Sequence, residues 1–268
     1  MAEQFFHNNA GLPFIELDSI DSTNNYALQQ IHAGLTQHGT AYFAKEQFAG
    51  KGQRGKSWTA NKDSNIILSV VINPHPLSVL QQFELCACVA VSVFEFFKKY
   101  AGDDTRIKWP NDLYWQDRKA GGILIENVIG GKKSEVGSQK SEWRWAVAGI
   151  GINVNQTVFP GDLKNPVSLK QITGQYYNPL ELAKELHQIL VTNFALLISA
   201  GFEKLYSNYI SYLYKKDQLV KFRKGNRTFE ATLRSVNREG KLVLKHAIEE
   251  EFSFGEIDWV IPNGDAEK

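Results

Sequence analysis

The fold is decided by residues 108–124, which read KWPNDLYWQDRKAGGIL. The triplets PND and QDR are typical of turns, and the segments beside them are typical of short strands. A strand end is predicted at Arg106–Trp109, and strands are predicted at Leu113–Trp115 and Gly122–Val128. The stretch therefore predicts an antiparallel β-meander that brings Asp112, in the first turn, close to Lys119, before the last strand.

Further helices and strands are predicted on both sides of this meander. Before it, 21–25 supplies N-cap residues for a helix that stops at Gly34, and Leu77–Tyr100 is typical of a long buried helix. Two strands, Thr40–Glu46 and Ile66–Ile72, are predicted between these helices. The elements predicted after the meander are a polar hairpin tip, a return strand and two helices: 129–142, Arg144–Val154, Asn178–Ser199 and Phe202–Tyr214.

The character of the sequence changes at Gln218. Short alternating segments separated by Gly225, Gly240 and Gly255 are typical of a small β-barrel. The predicted strands are Leu219–Arg223, Arg227–Val236, Lys241–His246, Glu251–Phe254 and Asp258–Ile261. The sequence therefore predicts two domains, 1–215 and 216–268.

Composition and charge exclude several classes of protein. Thirty basic residues against 29 acidic ones give a net charge of +1, so no bulk attraction to nucleic acid or to a membrane is expected. The N-terminus lacks the basic start and apolar core of a secretory signal, and the most apolar stretch, Cys86–Phe97, is too short to span a bilayer. We expect a soluble, cytoplasmic protein in which Cys86 and Cys88 are inert core thiols.

The glycine-rich loop at residues 50–58, GKGQRGKSW, suits an anionic ligand that bears phosphate. Its glycines allow a close approach of backbone N–H groups, and Lys51, Arg54 and Lys56 add three positive charges. A solvated basic hairpin is the alternative. The loop also fits the P-loop and dinucleotide-binding patterns, but both need a helix directly after the glycines. Trp58, a polar turn and a strand follow instead, which disfavours both.

The neighbouring Asp112 and Lys119 suggest a nucleotide site. Asp112 could hold a magnesium ion that also contacts phosphate, and Lys119 could neutralise charge on an α-phosphate and on an attacking carboxylate. A salt bridge that closes the hairpin is the alternative. Neither HExxH nor GxSxG occurs in the chain, so zinc sites and hydrolytic triads have little support.

A third motif, GIGINVN at residues 149–155, places two glycines on alternate positions of a strand. One face of that strand would then be bare, so that a ligand could lie against it, and Asn153 could bind a ribose or a phosphate. The alternative is that the glycines stand at a crowded crossing of the sheet.

Taken in order, these motifs resemble those of biotin–protein ligases. The resemblance covers roughly residues 14–262, and the GKGQRGxxW loop combined with the KWPND turn is highly specific. It implies an α+β fold, in which a mixed, mainly antiparallel sheet flanked by helices is related to class II aminoacyl-tRNA synthetases. A small SH3-like β-barrel would follow. The matching segments are DSTN at 21–24, the loop at 50–58, KWPND at 108–112, RKAGGIL at 118–124 and GIGIN at 149–153.

The resemblance also implies roles for individual residues. Lys119 would be the principal catalytic cation, with Lys51 and Arg54 assisting it. The residues expected to bind biotin are Ser22, Thr23, Asn24, Gln47, Gly50, Lys51, Gly122, Gly149 and Gly151. Those expected to bind ATP are Gln53, Arg54, Lys56, Trp58, Asn111, Asp112, Lys119 and Asn153, with Asp112 also holding Mg²⁺.

The implied activity is a two-step ligation. ATP and biotin would give biotinyl-5′-AMP, and the biotinyl group would pass to a lysine of a biotin carboxyl carrier protein. One alternative is a lipoate or octanoate ligase of the same fold, but its RRxxGGG run and following His-Asp pair are absent. Another is a biotin sensor without catalytic activity, which would need neither Asp112 nor Lys119. Exposed sheet edges would allow a homodimer.

Two features depart from other members of the resembled family. Many members carry arginine where this chain has Lys51 and Gln53, so we expect retention of the adenylate to depend more on Arg54 and Lys56. Leakage of the intermediate from a Gln53→Arg variant tests this hypothesis. Some members also carry an N-terminal DNA-binding domain; because the first motif starts at Asp21, we expect no such domain and no binding to nucleic acid.

Overall fold

The computed structural model describes residues 4–7, 11–131, 141–161, 163 and 165–260, and its main element is an eight-stranded sheet. The strands are β1 (Gln4–His7), β2 (Pro13–Ile20), β3 (Ala41–Gln47), β4 (Asn65–Ile72), β5 (Thr105–Lys108), β6 (Asp112–Trp115), β7 (Arg118–Gly131) and β8 (Ser141–Asn153). They lie in the order β1-β2-β3-β4-β8-β7-β6-β5. Strands β2 and β3 are parallel, and all other neighbours are antiparallel. The predicted mixed, mainly antiparallel sheet is therefore confirmed.

The described residues form five α-helices. They are α1 (Thr23–Ala33), α2 (Gln82–Ala101), α3 (Leu169–Thr173), α4 (Pro179–Ala200) and α5 (Glu203–Ser211). Of these, α1, α2 and α4 contact this sheet, whereas α3 and α5 contact α2. The caps predicted from the sequence are present: Ser22 is the N-cap of α1, Gly34 ends it in a left-handed conformation, and Asn178 caps α4 with Pro179 at the first helical position. A 3₁₀ turn at Val79–Gln81 precedes α2.

The two faces of the sheet are covered differently. On the central strand β4, Ile66 and Leu68 join the large core that includes α2, α4 and α5, whereas Ile67 and Val71 face a smaller cluster that includes α1. Because α1 is one short helix, it covers only part of its face. The uncovered part of that face, over β7 and β8, is where the candidate site lies.

Helix α2 is a core helix. By length and composition alone, Val79–Ala101 could cross a membrane. The length of the apolar stretch Cys86–Phe97 is therefore not sufficient to exclude a membrane span. Most of the helix is buried, however, and it packs against α4 and α5. Cys86 and Cys88 are free, and burial raises the pKa of their thiols to about 11 and about 12, as expected for inert core thiols.

The C-terminal residues form a second, five-stranded antiparallel sheet. Its strands are β9 (Leu219–Lys224), β10 (Arg227–Val236), β11 (Leu242–Lys245), β12 (Glu249–Phe252) and β13 (Asp258–Trp259), in the order β12-β11-β10-β9-β13. Trp109 Nε1 donates to Gly240 O at 2.8 Å, and the Tyr206 hydroxyl donates to Val236 O at 2.7 Å. These bonds attach the small sheet to the helices and to the KWPND turn. The domain boundary at 216 stays a prediction.

Three elements were not predicted from the sequence. Strand β1 and helix α3 are only four and five residues long, and β2 pairs between β1 and β3. Segments as short as β1 and α3 carry little periodicity of their own, so their structure depends on their neighbours. Strand β7 also extends to Gly131, into the predicted hairpin tip, whereas 132–140 lie outside the described residues.

Candidate active site

One groove on the α1 face of the large sheet collects residues from all three sequence motifs. The predicted site residues that line it are Ser22, Thr23, Asn24, Gln47, Lys51, Gln53, Trp58, Asn111, Asp112, Lys119, Gly122, Gly149 and Gly151. Gly50, Arg54, Lys56 and Asn153 do not line it. The basic loop, the Asp112–Lys119 pair and the glycine strand thus converge on a single cavity, although they are far apart in the sequence.

The floor of the groove consists of β7 and β8, where Gly122 pairs with Gly151. A Cβ atom on Gly149 would lie 2.3 Å from Asn24 Oδ1, and one on Gly151 would lie 2.4 Å from Trp58 Cε2. The expectation of a bare strand face is therefore wrong at these two positions, because the side chains of Asn24 and Trp58 cover them. Room remains above Gly122, where an added Cβ would make only ordinary contacts.

The N-terminus of α1 forms one wall of the groove. The Thr23 backbone N–H donates to Gln47 Oε1 at 2.9 Å. Ser69 Oγ lies 2.7 Å from Thr23 Oγ1 and 2.6 Å from Asn24 Oδ1, which orients both side chains. Ser22, Thr23 and Asn24 are all buried. Hydroxyl and amide groups fixed in this way can recognise a neutral, polar ring.

The glycine-rich loop 50–58, called the lid below, connects β3 to β4 across the groove. It folds back on itself, since the Trp58 N–H donates to Gly50 O at 2.9 Å and the Gly52 N–H donates to Lys56 O. Its centre is a 3₁₀ turn in which Arg54 has φ 57°. No α-helix follows the lid, because the next regular element in this described stretch is β4. The exclusion of P-loop and dinucleotide-binding motifs is therefore confirmed.

Besides Gly52, the lid residues that line the groove are Lys51, Gln53 and Trp58. Two polar atoms among them, Gln53 Oε1 and Trp58 Nε1, are buried and have no hydrogen-bond partner among the described residues. A buried polar atom without a partner is unfavourable by about 1–3 kcal/mol. A ligand in the groove that offers a donor to Gln53 and an acceptor to Trp58 would remove this penalty.

The other two cations of the lid turn away from the groove. Arg54 Nη1 lies 3.5 Å from Asp258 Oδ1, and its guanidinium carbon lies 5.9 Å from the centre of the Phe254 ring. Lys56 is exposed. The hypothesis that Arg54 and Lys56 retain an adenylate stays a prediction, and it requires both side chains to turn inward when a ligand binds.

The opposite end of the groove carries the predicted carboxylate–lysine pair. Lys119 Nζ donates to Asp112 Oδ1 at 2.6 Å, as the meander predicted. Both side chains are partly exposed, at 35% and 18% respectively, so a ligand can reach them. Beside them, Asn111 Nδ2 donates to Ile123 O, which fixes the KWPND turn against β7.

Asn153 lies behind Lys119. Its Nδ2 donates to Val167 O at 3.1 Å and lies 3.5 Å from Lys119 O, and the residue is 5% exposed. These contacts fix the backbone that carries Lys119. Direct binding of a nucleotide by Asn153 stays a prediction.

The donor set suits a magnesium ion that arrives with a nucleotide. Asp112 offers one partly exposed carboxylate beside the groove. In the described parts of the chain, no group of three or more His, Cys, Asp or Glu side chains could hold a metal by itself. One carboxylate, phosphate oxygens and water molecules are the usual ligands of Mg²⁺ at nucleotide sites. The residues present therefore fit such an ion.

Some groove residues were not among the predicted site residues. Ile67, Ile123, Leu124 and Ile150 provide the apolar part of the lining. Leu124 could have been found because it is two residues from Gly122 on the same strand and therefore shares its face. The others resemble ordinary core residues in the sequence.

Comparison with known proteins identifies relatives of the chain. Residues 16–138 match the model of the biotin/lipoate A/B protein ligase family. The bifunctional ligase/repressor BirA of Salmonella typhimurium is 30% identical over 233 residues, which cover 85% of this chain and 68% of that protein. The biotin–acetyl-CoA-carboxylase ligase of Paracoccus denitrificans is 27% identical over 232 residues, which cover 84% of this chain and 91% of that protein.

A solved structure with a similar fold is the biotin protein ligase of Aquifex aeolicus in complex with biotin and ATP. The TM-score is 0.73 at 23% sequence identity, and the match covers 91% of this chain and 97% of that one. At this identity the likeness concerns the fold, which is the mixed sheet with flanking helices described above.

Proposed function

Since the chain belongs to the biotin/lipoate A/B protein ligase family, we propose that it is a biotin–protein ligase. It activates biotin with ATP and transfers the biotinyl group to a lysine of another protein. The observation that carries the proposal is the single groove in which a cationic lid, the Asp112–Lys119 pair and the Thr23–Gln47 wall meet. The Paracoccus relative, which is named as a biotin–acetyl-CoA-carboxylase ligase, favours biotin over the other acids of the family.

The α1 wall would bind the ring system of biotin. The ureido group of that ring is neutral and offers both donors and an acceptor, which matches the hydroxyl and amide groups of Ser22, Thr23 and Gln47. The acyl chain would then run over the floor near Gly122, where there is room. This orientation brings the carboxylate of biotin to the Lys119 end of the groove.

In the first step, a carboxylate oxygen of biotin attacks the α-phosphorus of ATP. The bond from this phosphorus to the bridging oxygen of pyrophosphate breaks, and biotinyl-5′-AMP forms. Negative charge grows on the α-phosphate oxygens during the attack, and Lys119 Nζ is the fixed cation beside that position. Asp112 and Asn111 would hold Mg·ATP, and the magnesium ion supplies further neutralisation of phosphate charge when bound.

In the second step, the amine of the acceptor lysine attacks the acyl carbon of the mixed anhydride. The bond between that carbon and the phosphate oxygen breaks, AMP leaves, and the amine releases a proton to solvent. Between the steps, the lid must exclude water from the anhydride. Lys51, Gln53 and Trp58 are the lid residues placed to do so, and Lys51 adds positive charge over the intermediate.

The finer structural assignments rest on the same relationship. We propose that the large sheet with its helices is a catalytic domain of the class II aminoacyl-tRNA synthetase type, covering 1–215. The five-stranded sheet would be an SH3-like barrel, covering 216–268. The proposed acceptor is a biotin carboxyl carrier protein, in agreement with the name of the Paracoccus relative. A cytoplasmic location and a homodimer remain proposals.

The test is ATP–pyrophosphate exchange measured with the purified chain and one acid at a time. We expect exchange that depends on biotin and not on lipoate or octanoate, followed by transfer to a purified carrier domain. Exchange driven by lipoate or octanoate would assign the chain to the other branch of the family. Biotin binding without ATP turnover would identify a sensor instead.

A further inference from the structure

Glu126 stands at the end of the groove floor opposite to Lys119. Because side chains alternate along a strand, residues 122, 124 and 126 of β7 share one face. Gly122 and Leu124 line the groove, and Glu126 is the next residue on that face, with 28% of its side chain exposed. The floor therefore has a lysine at one end and a carboxylate at the other.

The carboxylate of Glu126 contacts both the wall and the lid. Its Oε2 accepts a hydrogen bond from Asn24 Nδ2 at 2.7 Å, and its Oε1 lies 3.9 Å from Lys51 Nζ. Lys51 Nζ also donates to Asn25 Oδ1. The lid ammonium is thus held at the edge of the groove, between an amide oxygen and a carboxylate.

Lys51 has a second potential partner when the groove is occupied. It lines the groove, and the proposed substrate carries a carboxylate that becomes part of an adenylate. Glu126 and a bound anion therefore compete for the same cation. The 3.9 Å separation and the 43% exposure of Lys51 make the existing ion pair weak enough to exchange.

We propose that Glu126 is a positioning residue that holds Lys51 in the ligand-free enzyme and releases it to the anionic end of biotin. The proposal rests on the proposed function, because it needs an anionic ligand in this groove. Glu126 would lower the affinity for anionic ligands in particular. It would also keep the lid cation at the entrance until such a ligand arrives.

The variant Glu126→Gln isolates this effect. A glutamine oxygen can still accept the hydrogen bond from Asn24, so the wall is preserved, whereas the charge that attracts Lys51 is removed. Glu203→Gln is a matched control, because Glu203 lies on α5 in a separate exposed ion pair with Arg238. Urea unfolding of each variant verifies that the fold is intact.

The experiment is isothermal titration calorimetry with biotin and with biotinamide, its neutral analogue. We expect Glu126→Gln to bind biotin about two- to fivefold more tightly and biotinamide with unchanged affinity, in keeping with a partly exposed ion pair. In a Lys51→Gln background the same substitution should have no effect on biotin binding. Glu203→Gln should match the unmodified chain with both ligands.

Several results would overturn the proposal. They are unchanged or weaker biotin binding by Glu126→Gln, an equal change for biotin and biotinamide, or a gain that persists without Lys51. If the unmodified chain binds neither ligand, the proposed function fails first and the role of Glu126 fails with it. A failure of the inference alone is therefore distinguishable, because biotin binding by the unmodified chain would remain.

Discussion

The floor and the lid of the groove hold their residues in different ways. Strand β4 is buried along its whole length and pairs with β8, which in turn pairs with β7 in a ladder that is regular from Gly121 to Val128. The lid is largely exposed between its two ends and closes through a few bonds of its own. The floor therefore offers a fixed geometry, whereas the lid offers charged groups that can change partners.

The electrostatic contacts show the same difference. On the floor, Lys119 Nζ is 2.6 Å from Asp112 Oδ1. On the lid, the corresponding ion pairs are 3.9 Å for Lys51 with Glu126 and 3.5 Å for Arg54 with Asp258. A tight pair suits a group that must already be in place when the reaction starts. Looser pairs suit groups that move onto a ligand.

The largest effect is expected from Lys119→Ala, on the floor. Removal of a fixed cation that stabilises the developing charge should reduce biotin-dependent ATP–pyrophosphate exchange about a hundredfold or more. Folding should be retained, because Lys119 is partly exposed. Circular dichroism provides the control for folding, and exchange near the unmodified rate would contradict the catalytic role.

A second test compares two glycines of the floor: Gly149, where an added Cβ would collide with Asn24, and Gly122, where there is room for one. Gly149→Ala would place a Cβ 2.3 Å from Asn24 Oδ1, and Asn24 is held by bonds to Ser69 and Glu126. We expect this variant to lose about 1–3 kcal/mol of unfolding free energy in urea titrations.

Gly122→Ala is the matched variant for that test. Its Cβ would lie 3.6 Å from Lys119 Nζ, an ordinary contact, so the unfolding free energy should change by less than about 0.5 kcal/mol. The added methyl group would narrow the groove, and we expect biotin affinity to fall about tenfold. Equal stability loss in both variants would remove the distinction between filled and open parts of the floor.

A third test concerns the scaffold behind the floor, and the variable is pH. His187 on α4 is fully buried, its Nε2 contacts Gly39 O at 2.7 Å, and burial lowers its pKa to about 4. An unfolded histidine titrates near pH 6.5, so the unfolded chain binds the extra proton first as the pH falls. The contribution of the neutral His187 to the unfolding free energy is therefore complete above about pH 6.5 and is lost as the pH falls towards 4.

Between pH 7 and pH 5, we expect this histidine to reduce the unfolding free energy by about 2 kcal/mol. Urea titrations of His187→Gln should show a smaller loss over the same range, whereas the exposed His75 should have no such effect when changed to Gln. Burial also lowers the pKa of His38, so the unfolding free energy of His187→Gln should still depend on pH to some extent. An identical slope in His187→Gln would contradict the assignment.

The smallest effect is expected from Asp258→Asn, which removes the contact between the lid and the small sheet. Both partners are about half exposed, so the contact is weak. Because its loss frees Arg54 to turn towards the groove, leakage of biotinyl-5′-AMP should fall, but only about twofold. Arg223→Gln is the control. Arg223 is the other ion-pair partner of Asp258, and its removal leaves the contact between Asp258 and Arg54 in place. Unchanged or increased leakage in Asp258→Asn would contradict the idea that Asp258 restrains Arg54 and that Arg54 helps to retain the intermediate.

Much of the fold was predictable from local patterns. Ser22 and Gly34 bound α1, Asn178 and Pro179 begin α4, and the turns at 110–112 and 116–118 bend the meander as expected. These features depend on backbone preferences within a few residues, so the sequence contains them directly. Short elements such as β1 and α3 were missed because they depend on distant partners.

For the site, the sequence by itself determined which chemical groups are available: a basic lid, a carboxylate–lysine turn and alternating glycines. The tertiary structure decided which of them share the groove. It placed β8 between β4 and β7, covered Gly149 with Asn24 and Gly151 with Trp58, and turned Arg54 towards Asp258. The physical reason is that side-chain contacts depend on strand order and packing between residues far apart in the chain, which no local pattern encodes.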